Sequence, residues 1–135
     1  MQLPITLMYA GIFAIFALLL SFMAGSDRAK TGISILYGDP VDMKLGEKVR
    51  RHQNFLEYVP LFLIVFGALE ANDVAPLFLY LVGDLMIVAR IFHAFGLHHD
   101  NMAHIGRLIG AGGTALLTLV CSCYAIWLSA SELLS

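Results

Sequence analysis

Charge is what this chain most lacks. Of its 135 residues only 13% are Asp, Glu, Lys or Arg, while 59% are hydrophobic, which leaves too few charges for an ordinary soluble domain. An excess of one sign is missing as well: a formal net charge of -2 gives no basic face for a nucleic-acid partner. Cysteine is reduced to Cys121 and Cys123. Two apart in one apolar run, they point in different directions on a helix and cannot readily bond to each other, so small apolar packing is their expected role. The apolar runs show no period-two alternation, which excludes a membrane β-barrel. No internal repeat or low-complexity segment is present, and the first apolar run lacks the basic stretch that would precede it in a secretory signal.

What is present is four long apolar runs, at 3–25, 55–71, 74–97 and 108–128. Each reaches or approaches the roughly 20 residues needed to cross a bilayer as a helix. The predicted fold is therefore an all-α, integral membrane, four-helix up-down bundle. It forms one domain over residues 1–135, with helices at about 3–25, 44–71, 74–97 and 105–130 and no separate soluble part. Gly25-Ser26-Asp27 reads as the stop of the first helix, and Tyr37-Gly38-Asp39-Pro40 as a turn in the longest loop. All eight Lys and Arg lie in or beside two connections, the first and the third. By the positive-inside rule those connections face the cytoplasm and both termini lie outside it. The expected location is a bacterial inner membrane.

The polar residues that remain are concentrated. Arg50, Asn54 and Glu57 stand at i, i+4 and i+7, forming one stripe on a helix. The strictly apolar part of that helix, 58–69, is too short to span alone, so the stripe must descend toward the bilayer. A charge at bilayer depth costs roughly 2.5–3.5 kcal/mol, so such residues face protein or ligand. Arg50 and Arg51, Arg90, and Arg107 mark the same end of three helices, with Tyr58 and His93 nearby. Together they supply donors and acceptors for a small zwitterionic, peptide-like anion. Either Arg50 or the ligand's ammonium could partner Glu57; the ammonium is expected, with Arg90 as the resting partner. A register-fixing polar network is the structural alternative, and a proton-coupled transporter using Glu57, Asp84 and His93 is another. His98, His99, Asp100 and His104 have the composition of a metal site. They occupy a turn, however, and the adjacent pair diverges, so a solvated role and no metal is expected.

One pattern is more specific. Glu47, Arg50, Asn54, Glu57, Tyr58, Pro60, Leu61 and Phe62, then Ala89-Arg90 with His93, then Arg107-Leu108, resemble the MAPEG family, the membrane-associated proteins of eicosanoid and glutathione metabolism. The resemblance implies a homotrimer that holds glutathione between subunits near the cytoplasmic face. It also implies transfer of glutathione to a lipophilic electrophile or reduction of a lipid hydroperoxide. By this resemblance Arg50, Asn54, Glu57 and Tyr58 bind the tripeptide, Arg90 and His93 close the site, and Arg107 is the thiol-activating arginine. Arg28 or Lys30 comes from the neighbouring subunit. Asp84 matches no role in the family, and is expected either to pair with a neighbouring helix or to line the three-fold axis. Glutathione is then the co-substrate, with no metal. A non-catalytic lipid-binding or accessory protein of the same fold is the alternative. The chain departs from some relatives at Leu97 and at Gly110 to Gly113, where they carry tyrosines.

Overall fold

In a bilayer the backbone polar groups of such runs must be satisfied internally, which makes helices of them. The computed structural model describes residues 2–134. Four helices are present: α1 (Pro4–Thr31), α2 (Met43–Ala71), α3 (Pro76–Gly96) and α4 (Ile105–Leu133). Each is long and apolar enough to cross a membrane, and no strand occurs among the described residues. The protein is a multi-pass integral membrane protein. The helix α2 packs on all three others, α3 and α4 form the most extensive pair, and α1 does not pack on α4.

Aromatic residues fill the centre. Phe55, Val59, Phe62 and Phe66 recur at spacings of four and three, so one ridge of α2 is apolar and buried. Tyr9 and Phe13 of α1 meet it, with ring centroids 5.6 Å apart for Tyr9 and Phe66 and 6.4 Å for Phe13 and Phe62. The Tyr9 ring reaches α3 over Gly83, where any side chain would collide with it. Its hydroxyl donates to Asp84 Oδ1 at 2.7 Å. Asp84 thus pairs with a neighbouring helix, although the residue itself remains exposed on the protomer surface.

Helix ends are tied by residues distant in sequence. The first turn of α1 has no capping side chain of its own. Glu70, near the end of α2, accepts from Ile5 N at 2.8 Å and Thr6 N at 2.6 Å, placing a carboxylate on the positive end of α1. Glu70→Ala should cost about 1–2 kcal/mol by loss of this cap. Thermal unfolding in detergent would read it as a lower midpoint.

The first helix does not stop at Gly25-Ser26-Asp27. It continues to Thr31 and ends at Gly32, which takes a left-handed φ of 73° and donates its N–H to Arg28 O. Tertiary partners carry the extension. Asp27 pairs with Lys48 of α2, and Arg28 Nη1 donates to Ile33 O and Leu36 O, both at 3.2 Å. The third helix begins at Pro76 rather than at residue 74, since Pro favours the first helical position.

Candidate functional site

Two close contacts at glycines set the geometry of the basic end. A Cβ at Gly96 would strike the backbone of Gly106 and Arg107, and a Cβ at Gly110 would strike that of His93. Without those atoms α4 lies directly on α3, as small residues permit in membrane bundles. The first turn of α4 therefore carries Arg107 alongside the end of α3. A side chain at Gly110 would not fit, whereas one at Gly112 would meet open space.

A cavity of about 420 Å³ opens at this end, lined in part by Arg50, Asn54, His93 and Arg107. Its size falls within the roughly 300–1,000 Å³ of small-molecule sites. The loop after α1 contributes Tyr37 and Val41, and the connection after α3 contributes Leu97, His98 and His99. A second cavity of about 240 Å³ shares Asn54 and His93 with the first. It adds Tyr58, Arg90 and Thr114, with Ala111 and Ala115 of α4. The two form adjoining chambers along α2.

The Arg90 side chain is unusual in its surroundings. The residue is 2% exposed, yet it makes no ion pair with any described residue. Its Nη2 donates to Asn54 Oδ1 at 2.9 Å and Nη1 to Thr114 Oγ1 at 3.4 Å. The guanidinium lies 5.3 Å from the centre of the Phe55 ring, while Nε has no partner. His93, 3% exposed, likewise leaves Nδ1 unpaired. A buried cation that lacks a carboxylate bears a desolvation cost of several kcal/mol, which two hydrogen bonds to neutral groups and one ring contact offset only in part. The Arg107 side chain has neither a hydrogen bond nor an ion pair with a described residue.

Glu57 is partnered differently from the expectation. Arg50 Nη1 donates to its Oε1 at 2.6 Å, with the two side chains 49% and 47% exposed. Arg50, and not Arg90, is therefore the resting partner, because Arg90 is turned inward to Asn54 and Thr114. The stripe is divided accordingly: Arg50 and Asn54 line the larger cavity, whereas Glu57 sits on the exposed flank beside it. Arg28 lines a separate cavity of about 300 Å³ with His52 and Gln53, and Lys30 is exposed at the end of α1. Neither reaches the main cavity within its own protomer. Glu57, Asp84 and His93 occupy three different environments. Nine residues separate Asp84 from His93, about 13.5 Å along α3, so they do not form a contiguous proton relay.

Some roles appear only in the fold. Glu47 Oε1 accepts from His99 N at 2.8 Å and lies 2.7 Å from His99 Nδ1. Arg51 Nη2 donates to Leu97 O at 2.8 Å and to Glu47 Oε2 at 3.3 Å. These bonds hold the α3–α4 connection against the start of α2 and close one wall of the cavity. The i, i+4 spacing of Glu47 and Arg51 is visible in sequence. The connection they hold, about fifty residues away, is not. Nothing local marks Tyr37 and Val41 as cavity walls.

A family model described as "MAPEG family" matches residues 6–127. The chain is also 26% identical over 116 residues to the "Inner membrane protein YecN" of Escherichia coli strain K12, covering 86% of this chain and 87% of that protein. The same protein from an O6:H1 strain of Escherichia coli matches equally. No solved structure matches the chain.

Proposed function

The chain belongs to the MAPEG family, and from that premise we propose that it is a membrane-bound, glutathione-dependent transferase or peroxidase. The observation that carries this reading is the buried Arg90 guanidinium, which lacks an anion and sits beside cavities large enough for a tripeptide. A ligand carboxylate supplies the missing counter-charge. Asn54, already bonded to Arg90, and His93, with a free Nδ1, offer adjoining polar contacts.

The ligand's other charged groups divide the Arg50–Glu57 pair between them, ammonium to Glu57 and carboxylate to Arg50. An exposed ion pair is worth only about 0–1 kcal/mol, so exchanging it for ligand contacts costs little. Tyr58 closes the flank. The free Arg107 guanidinium then faces the ligand's sulfur and favours the thiolate over the thiol. In conjugation the sulfur lone pair forms an S–C bond as the leaving group departs with the electrons of the broken bond. In peroxide reduction the sulfur takes the outer oxygen and an alkoxide leaves, to be protonated from water. Arginine acts by charge and takes no proton. The electrophile arrives from the lipid beside α4.

In this reading three copies assemble, and Arg28 or Lys30 of each completes the site of the next. The Arg28, His52 and Gln53 cavity lies apart from the main one, as a contribution to a neighbour requires. The basic end faces the cytoplasm and the membrane is the bacterial inner one.

Titration of the purified protein with glutathione tests the proposal. Saturable binding should accompany a rise in thiolate ultraviolet absorbance, and Arg50→Ala should weaken the affinity about tenfold. Absence of both binding and thiolate signal in the folded wild-type protein would sink it.

A further inference from the structure

The rim of the larger cavity carries a cluster that the glutathione reading does not use. His99 and Asp100 of the α3–α4 connection and Glu47 of α2 place one ligand atom each within 4.8 Å of one another. His98 Nδ1 is 3.9 Å from Glu47 Oε2. Asp100 makes no hydrogen bond with a described residue. The divergence expected of adjacent histidines on a helix does not operate here, because residues 97–104 are non-helical. Glu47 reaches them from another element.

We propose that Glu47, His99 and Asp100 bind a divalent transition-metal ion of the zinc class, with His98 in reach as a fourth donor. Imidazole and carboxylate together suit zinc and its first-row neighbours. Bonds of about 2.0–2.2 Å at tetrahedral angles put ligand atoms roughly 3.3–3.6 Å apart. The His99 Nδ1–Glu47 Oε1 separation of 2.7 Å must widen by less than about 1 Å, as the metal replaces the shared proton. The Asp100 side chain is exposed and can close in, and the His98 ring joins by turning from its edge contact with His104, 5.3 Å between centroids. Arg51, 3.3 Å from Glu47 Oε2, also donates to Leu97 O, so it keeps an acceptor when Glu47 turns to the metal. The bound ion bolts the α3–α4 connection to α2.

Cobalt(II), whose ligand-field spectrum reports coordination, and zinc(II) competing with it are the probes, added to tag-free protein in detergent without glutathione. One equivalent should give a tetrahedral or five-coordinate spectrum, displaced by zinc, with a raised unfolding midpoint. Asp100→Asn, at an exposed position without a partner, should fold normally and bind at least about tenfold more weakly. His99→Ala should lose the spectrum altogether. Wild-type protein that leaves cobalt in its hexaaqua form would overturn the assignment. So would binding that is unchanged in both variants.

Discussion

Replacing Arg107 with alanine should abolish the glutathione thiolate signal while leaving most of the binding affinity. The Arg107 side chain makes no hydrogen bond or ion pair with the described residues, so its removal takes little from the fold. Its effect should fall on the sulfur. A guanidinium about 4 Å from a thiolate is worth up to about 4 kcal/mol at an effective dielectric near 20, or about three pK units. An unassisted thiol with pKa about 8.5 is only about 3% ionised at pH 7. Loss of thiolate alone should therefore slow turnover on the order of thirtyfold at neutral pH. The variant's rate should then climb about tenfold per pH unit until the free thiol ionises, whereas the wild-type rate stays flat over that range. A variant that keeps the wild-type pH profile would remove Arg107 from the chemistry.

Arg90→Met should divide stability from binding. If Arg90 is kept to meet a ligand anion, an apolar side chain of similar length removes an uncompensated buried charge. The unfolding midpoint should hold or rise. Glutathione affinity, by contrast, should fall by about a hundredfold or more, since leaving a buried charge partner unmatched costs about 2–5 kcal/mol. The Asn54 carbonyl released by the change lines the cavity and can turn to water. The opposite pattern, a lower midpoint with near-normal affinity, would make Arg90 a structural cation that holds α2, α3 and α4 in register.

The helices were legible in the sequence because their signal is local: long apolar runs, with charges gathered at the connections. The convergence of Arg50, Asn54, His93 and Arg107 on one cavity followed from the same source, since antiparallel helices bring those ends to one depth. What escaped depends on distant partners. Gly25-Ser26-Asp27 has a helix-breaking composition, but Lys48 and the carbonyls of the following loop hold Asp27 and Arg28 in helix. Glu57 had two plausible cations, and only side-chain direction selects Arg50, since Arg90 is drawn inward by Asn54 and Thr114. The role of Glu47 required knowing which loop folds over the start of α2. The cap that Glu70 gives α1, accepting from Thr6 N across 64 residues and from Ile5 N across 65, leaves no local trace.

The contact of bare backbone between Gly110 and His93 has a consequence for variation among homologous chains. Because main chain abuts main chain there, no rotamer change can adjust the spacing of the two helices, and the backbone that carries Arg107 works as a fixed datum. Drift at Ala111 or Ala115 can remould the neighbouring chamber, and with it the shape of molecule admitted, while the root of the Arg107 side chain stays at the same level. Under the proposed glutathione reading, substrate range is thereby free to diverge without re-tuning the sulfur.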